Sequence, residues 1–556
     1  MTGSPDGDPV TDSGVRVFGF ETGPGAGLPR KPNGSLCTDF NLGFIGRGMA
    51  DAPHMPAPSE APVTVAGVDL GSNSFHMTVV RRESDGRTHV LDRIREPVRL
   101  AAGLNKHREI TLEAQKRGWD ALERMGERLR QIPQARVRAV GTNTLRQARN
   151  GQEFLDRGRE LLGHPIEVIS GTEEARLIFL GVAHSDYLER GSRLVVDIGG
   201  GSTEVIVGEG FEPSLKHSLY MGCVSFSQKF FSDDKMTDSA FDAAELAAAK
   251  ELRGVREEFR REGWEWVYGS SGTIRAAGEV LRTNEWSEDG ITLEGLDRLR
   301  TAMVAQKKIS KLDMRGLDAD RAHVFPGGVA VLRAIFRSLE IEQMKVATGA
   351  LREGLAFELL GRLDHHDVRN VTVASFAERY GVDRAQARRV KQTALDLFDQ
   401  CNGHWGIDPE EGPRVLGYAA DLHEIGMSIA YTGYHKHDAY IIENAEMPGF
   451  SRNEQQVLAC ILRSHRRKIR RRYFKPLPPS LRPFAMRLAI LLRIAVTLRR
   501  SRTDETNPEV SVARIGDDRM QLHFPVNWLR DHPLVEADLR SEAEYLDKVD
   551  FQFEFA

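Results

Sequence analysis

Asp69-Leu70-Gly71-Ser72-Asn73-Ser74 and Asp197-Ile198-Gly199-Gly200-Gly201-Ser202 are two copies of one pattern: aspartate, aliphatic residue, glycine, two small residues, serine. Each follows a short apolar run, Val63 to Val68 and Arg193 to Val196, which reads as a buried strand ending in a tight turn. Glycine lets the backbone approach an anion, so successive N–H groups can converge on a phosphate. An aspartate at the strand end suits a divalent cation, held directly or through water. Two copies in one chain predict two similar lobes that face each other across a cleft. A third small-residue turn, Gly269-Ser270-Ser271-Gly272-Thr273, follows the apolar run Trp264 to Tyr268 and joins the candidate phosphate cradle.

Outward from these turns, strands are expected at Val63 to Asp69, Phe75 to Arg81, Arg87 to Ile94, Val137 to Val140, Ile166 to Ile169 and Thr203 to Val207. Helical patterns at Thr111 to Gln131 and Asn150 to Leu162 alternate with them, which predicts an α/β class with mixed sheets. Between Val371 and Ser464 the pattern is almost purely helical, and the alternation in Val510 to Arg514 and Met520 to Phe524 predicts a small strand-containing cap. The expected division is an N-terminal extension over 1–61, a first lobe over 62–186, a second over 187–364, a helical domain over 365–480 and the cap over 481–556. The extension is rich in Gly, Pro, Asp and Ser without periodicity and reads as disordered; Met49 and Met55, just before the first strand, read as candidate alternative starts.

At 556 residues the chain has room for several domains, and its 40% hydrophobic and 28% charged residues place it among ordinary globular proteins. Cys37, Cys223, Cys401 and Cys460 have neither paired nor metal-ligand spacing, which fits a reducing, cytoplasmic compartment. No apolar run is long enough to cross a bilayer, the best being Leu488 to Leu498 with Arg493 inside it. The N-terminus, without a basic segment followed by an apolar core, does not read as a secretion signal.

Between the two copies of the turn motif, Ser170-Gly171-Thr172-Glu173-Glu174-Ala175 marks a strand end followed by a helix start. Glu173 suits the helix N-terminus. Glu174 projects into the cleft and is the candidate general base. Arg146, after the strand in Gly141-Thr142-Asn143-Thr144-Leu145-Arg146, is the candidate clamp on charge that develops at a transferred phosphoryl group. Glu204, just past the second turn, is a candidate for the metal site beside Asp69 and Asp197. Farther on, Arg463, His465, Arg466, Arg467 and Lys468 lie in a dense basic run that continues to Arg472, in a chain of net charge −4. Such a run suits a polyanion track; the few aromatics nearby, Tyr473 and Phe474, argue against stacking on single-stranded nucleic acid. The histidines at 423, 435, 437 and 465 read as packing and surface residues.

With these motifs the chain resembles the exopolyphosphatase / guanosine pentaphosphate phosphohydrolase family, whose lobes have the actin and sugar-kinase fold. The resemblance rests on Val68-Asp-Leu-Gly-Ser-Asn-Ser-Phe75, Gly141-Thr-Asn-Thr-Leu-Arg146, Ile169-Ser-Gly-Thr-Glu-Glu-Ala175, Val196-Asp-Ile-Gly-Gly-Gly-Ser-Thr-Glu204, Met221-Gly-Cys-Val224, Gly269-Ser-Ser-Gly-Thr273 and Gly349-Ala-Leu-Arg-Glu-Gly354. It implies Glu174 as the base that activates water and Asp69, Asp197 and Glu204 as organisers of Mg²⁺, with a monovalent cation as a further activator. Ser72, Asn73, Ser74 and Gly199 to Ser202 would cradle phosphate, with Arg146 clamping it. The resemblance also implies a homodimer and a degenerate HD-type helical domain, in which His423-Glu424 replaces His-Asp.

Within the family, the triple glycine, Cys223 to Gln228 and Ser464 to Lys468 resemble enzymes that act on long chains, whereas Val98 to Leu104 resembles the pentaphosphate branch. The expectation drawn is an exopolyphosphatase that strips terminal phosphates processively from inorganic polyphosphate, with guanosine pentaphosphate (pppGpp) 5′-phosphohydrolysis as the alternative. The rivals from other classes are a kinase on the same scaffold and a non-catalytic polyphosphate or alarmone sensor.

Overall fold

A computed structural model of the chain describes residues 62–84, 88–185, 191–363, 367–503 and 510–556. The N-terminal extension, Met49 and Met55 included, lies outside the described residues.

The first lobe is built on β1 (Val63–Leu70), β2 (Phe75–Arg82), β3 (Thr88–Glu96), β4 (Val137–Gly141) and β5 (Ile166–Val168). Their order in the sheet is β3-β2-β1-β4-β5. β1 to β3 run antiparallel through short turns, while β4 and β5 join parallel to β1. Parallel neighbours need a crossover, and helices α1 (Leu112–Leu129), α2 (Asn143–Gln147) and α3 (Gly151–Leu162) supply them.

The second lobe repeats this plan after helix α4 (Gly171–Ser185). Its strands β6 (Ser192–Ile198), β7 (Thr203–Glu209), β8 (Glu212–Leu219), β9 (Trp266–Ser270), β10 (Ile291–Thr292) and β11 (Gln343–Val346) lie in the order β10-β11-β9-β6-β7-β8. β6, β7 and β8 are antiparallel, and β9 and β11 join parallel to β6. Apart from the edge strand β10, this is the first lobe's topology again. The duplicated sheet is the actin and sugar-kinase architecture.

The duplication reaches single residues. Asp69 pairs across the sheet with His76, and Asp197 with Glu204. On the parallel side Asp69 lies beside Val140 and Asp197 beside Ser270. The two aspartates therefore end equivalent central strands.

Helix α5 (Cys223–Phe230), helix α6 (Ser271–Thr283), helix α7 (Phe325–Leu339) and helix α8 (Leu351–Leu363) are among the helices that pack on the lobes, with others over Asp238–Leu252, Arg256–Glu262 and Leu293–Gln306. Beyond them come α9 (Val368–Arg379), α10 (Arg384–Trp405), α11 (Glu411–Leu422), α12 (Tyr434–Asn444), α13 (Arg452–Ser464), α14 (Leu481–Leu498) and α15 (Pro533–Asp547). Ser451 starts α13 with a reciprocal capping box to Glu454. A last sheet, β12 (Ser511–Ile515), β13 (Arg519–His523) and β14 (Gln552–Phe555), packs Met520, Leu522 and Phe553 into the same apolar core as Leu416, Leu458 and Leu491. Helix α14, assigned to the cap by sequence, thus lies inside the core of the helical domain. Among the described residues no helix is long and apolar enough to cross a membrane.

A buried charge network ties these parts together. Glu358 of α8 pairs with Arg138 of β4, Arg176 of α4 and Arg362 of its own helix. Those guanidinium groups hold the Glu358 carboxyl far below the ordinary range despite its burial.

Candidate active site

The two glycine turns meet. A methyl group on Gly200 would lie 2.9 Å from the Ser72 Cβ and 3.6 Å from the Asn73 backbone nitrogen, so only glycine permits this approach of the second lobe to the first. The carbonyls of Ser72 and Asn73 accept the amides of Ala101 and Arg99 at 2.9 and 2.8 Å, and Thr144 Oγ1 donates to Ser72 Oγ at 2.9 Å. Gly199 and Gly200 carbonyls accept the amides of Cys223 and Val224 at the start of α5, both at 2.9 Å. Each turn is held in place by the segment behind it.

Between them lies a cavity of about 110 Å³. Asp69, Asp197 and Glu174 line it, as do Ser72, Asn73, Ser74, Gly199, Gly200, Ser202, Ser271, Gly272 and Thr273. Gly201 packs instead against the Asn143 side chain, Gly269 against Met344 and Ile274, and Ser270 Oγ donates to the Gly349 carbonyl at 2.8 Å. These three support the wall without forming it. Ser271 holds φ at +91°, a left-handed conformation that costs a serine energy and marks the start of α6 at the cavity.

The acids repel one another through a poorly solvated space. Burial, then Glu174, pushes the Asp69 carboxyl well above its usual range; Asp197 rises to about 6 through burial, with Ser270 opposing the shift. Asp69 Oδ1 is buried without a hydrogen-bond partner. An unpartnered oxygen amid repelling carboxylates fits a hard cation. Among the described residues no three acidic, histidine or cysteine side chains form a ready-made metal cage. Asp69 and Asp197 leave room for the mode Mg²⁺ favours, one or two carboxylates completed by water and substrate phosphate.

The Glu204 reading shifts. Glu204 does not line the cavity; its Oε1 accepts Ser218 Oγ at 2.7 Å, and its carboxyl is pushed well up by burial, Glu174 and Asp197. Glu204 therefore adds a buried carboxyl behind the site rather than a face to it. Arg146 also lies off the cavity wall, with Nη1 donating to Glu174 Oε2 at 2.8 Å and to the Ile169 carbonyl at 3.0 Å. In this arrangement the guanidinium holds the carboxylate of Glu174 in place. That carboxylate sits at the first turn of α4, where the helix dipole favours negative charge.

The sequence reading missed one side of the site. His76, Arg275, Arg321 and Arg352 line the cavity and also a second chamber of about 370 Å³ that opens from it, walled further by Arg93 and Arg95. The Arg321 guanidinium occupies the space that a Gly272 side chain would fill. Burial and neighbouring arginines depress both Arg275 and Arg321, and lower His76 to about 3, so this histidine is neutral. Guanidinium groups crowded this way are poised for an anion.

The basic run behaves differently from its sequence expectation. His465 is buried at 1% exposure and cannot belong to a surface track. Helix α13 ends at Ser464, Arg463 lies over the Tyr473 ring, and Arg466 lies over Tyr434 at 4.7 Å; Arg467 and Lys468 are exposed.

Residues 79–363 match the model of the Ppx/GppA phosphatase family, and residues 368–543 match the model of Ppx/GppA phosphatase, domain III. The guanosine-5′-triphosphate,3′-diphosphate pyrophosphatase of Pseudoalteromonas translucida is 41% identical over 484 residues, covering 87% of this chain and 96% of its own. The protein of the same description from Photobacterium profundum is 41% identical over 86% of this chain and 95% of its own. Among solved structures, an exopolyphosphatase from Cytophaga hutchinsonii superimposes with TM-score 0.48 at 26% identity, over 55% of this chain and 98% of that one. The Aquifex aeolicus Ppx/GppA family member does so with TM-score 0.46 at 25% identity, over 55% and 99%.

Proposed function

Because the chain belongs to the Ppx/GppA phosphatase family and is thus a hydrolase of phosphoric anhydrides, we propose that it removes the terminal 5′ phosphate of guanosine 5′-triphosphate 3′-diphosphate. The exopolyphosphatase expectation is corrected: relatives 41% identical over 86–87% of the chain are guanosine-5′-triphosphate,3′-diphosphate pyrophosphatases. The short stretches that resembled long-chain enzymes carry less weight than similarity spread along nearly the whole protein.

One observation in the structure carries the proposal. The small cavity between the glycine turns opens into a larger chamber walled by Arg93, Arg95, Arg275, Arg321 and Arg352. A compact ligand with phosphates at two ends fits this pair of spaces, the terminal 5′ phosphoryl in the first and the remaining nucleotide, with its 3′-diphosphate, among the arginines.

The reaction follows from the site. Glu174 takes a proton from water as the oxygen attacks the terminal phosphorus, and the bond from that phosphorus to the bridging oxygen breaks. The nucleotide, now a 5′-diphosphate, leaves with the negative charge on its freed bridging oxygen, and the proton passes from Glu174 to bulk water. Backbone amides of the two turns favour charge on the equatorial oxygens, which is the main work in phosphoryl transfer. Asp69 and Asp197 would hold Mg²⁺, which neutralises phosphate charge when bound. Arg146 keeps Glu174 oriented.

The test is phosphate release from guanosine 5′-triphosphate 3′-diphosphate, GTP and long polyphosphate, compared by kcat/KM with Mg²⁺ and with chelator. Preference for the first substrate supports the reading; equal or better turnover of polyphosphate refutes it.

A further inference from the structure

The helical domain contains another cavity, of about 430 Å³, with no lining residue in common with the catalytic chambers. His423 and His465 form part of its wall. Each ring donates Nδ1–H to a carbonyl three residues earlier, Ala420 and Leu462, at 2.7 Å. The lone pair of each neutral ring is therefore on Nε2. Neither Nε2 atom has a hydrogen-bond partner, that of His423 lying 3.8 Å from Glu424 Oε1, and the residues are 0% and 1% exposed. Burial lowers both pKa values, so the rings stay neutral acceptors. Two buried acceptors with nothing to accept are costly, and a ligand with N–H groups would satisfy them. A metal is the weaker occupant, since among the described residues no three side chains of ligating type are arranged to hold one.

The opposite requirement lies at the same cavity. Its acids are already paired, Glu424 with Arg502, Asp538 with Arg500 and Glu542 with Arg493. Arg466 and Arg467 line it without a carboxylate partner among the described residues. The Arg466 guanidinium carbon lies over Tyr434 and Tyr431, 4.7 and 5.7 Å from the ring centroids. Arg467 is held at φ +62°, with its carbonyl accepting from Arg493 Nη2 at 2.8 Å.

The cavity thus asks for an anion at one part of its wall and for hydrogen-bond donors at another, beside tyrosine rings. Guanine presents adjacent N1–H and N2–H₂ donors, whereas adenine's corresponding edge offers one donor and one acceptor. We propose that this cavity is a second, non-catalytic site that binds a guanosine phosphate, its phosphate on Arg466 and Arg467 and its base toward His423 and His465. The proposal stands on this cavity alone and survives or fails independently of the substrate assigned to the catalytic cleft.

Amide hydrogen exchange of the whole protein with GDP, ADP and inorganic phosphate tests it, alongside calorimetric titration of the wild type and of an Arg466→Ala/Arg467→Ala variant. Both arginines reach solvent, so the variant keeps its fold. GDP is expected to slow exchange over residues 423–434 and 463–467, ADP to do so less, and the double substitution to weaken that binding roughly tenfold or more. Protection confined to residues 69–76 and 197–202, or protection over 423–434 that the double substitution leaves intact, overturns the proposal. Equal effects of ADP and GDP overturn the guanine assignment, and an equal effect of phosphate alone reduces the site to one for anions.

Discussion

Glu173 Oε2 accepts the backbone N–H of Gly449 at 3.0 Å, joining the residue before the candidate base to the helical domain. The same carboxylate takes two bonds from Arg176, each 2.8 Å, and faces Arg138 at 3.8 Å. Sequence alone placed Glu173 at a helix N-terminus; in the fold it anchors the first turn of α4 from behind. Replacing it with alanine leaves buried arginines short of a partner, a loss of about 3–5 kcal/mol for a broken buried pair. Glu173→Ala is expected to lower both Tm and kcat, with KM little changed, as read by calorimetry and steady-state phosphate release. A lowered Tm with unaltered kcat would mean that the anchor serves the fold only.

Glu174→Gln removes the proton acceptor while keeping size and the bond from Arg146. Turnover is expected to fall roughly 10²–10⁴-fold, the usual worth of a positioned base. Substrate affinity, measured by calorimetry under the same conditions, should stay near wild type. Full activity in this variant would remove Glu174 from the mechanism.

Arg321 lines both chambers, and in the proposed pose it would hold the part of the substrate away from the reacting phosphorus. Arg321→Ala should raise KM for guanosine 5′-triphosphate 3′-diphosphate by roughly tenfold, the worth of a charged hydrogen bond. GTP, which has no 3′-diphosphate, should suffer less. Equal losses on both would place the 3′ end elsewhere.

His435 makes the pH dependence of folding testable. Burial, followed by Arg463 and Arg466, lowers it to about 4 from an ordinary 6.5, and its Nδ1 has no partner. Between those values the unfolded chain binds a proton that the folded chain does not, so stability present above pH 6.5 is lost as pH falls through 4. His435→Gln should shrink the Tm difference between pH 7 and pH 4.5 relative to wild type. An unchanged difference would show that His435 does not contribute to acid sensitivity.

What could be read from sequence followed the periodicity and the repeat. The strands that end at Asp69 and Asp197 lie where apolar runs meet glycine turns, so both the lobes and the facing of the turns were legible. Strand β8 was not, because Glu212, Lys216 and His217 interrupt its apolar residues and give it no clean alternation. Nor were Arg275, Arg321 and Arg352, isolated cations brought together only by the fold. His76 carried a usable signal: it opposes Asp69 as Glu204 opposes Asp197, so the repeat that marked one marks the other. The basic run misled because helix termination at Ser464 and burial of His465 break its apparent continuity, and neither leaves a trace in charge count.

The contact between Gly200 and Ser72 tests whether closure of the lobes, and not merely the presence of the side chains, is what makes the site. A β-carbon at position 200 would meet Ser72 Cβ at 2.9 Å and Val224 Cγ2 at 3.3 Å. Relief requires the second lobe's turn to withdraw by a few tenths of an ångström from the first. Phosphoryl transfer depends on positioning at that scale, and small displacements of reacting groups cost up to about 10²-fold. Gly200→Ala should therefore lose activity roughly 10–10²-fold with a Tm close to wild type, because φ at this glycine lies outside the left-handed region and an alanine backbone is unstrained. Gly254→Ala, where an added methyl group meets nothing within 4 Å, is the matched control and should retain full turnover. If both variants turn over like wild type, the lobes need not touch here for catalysis.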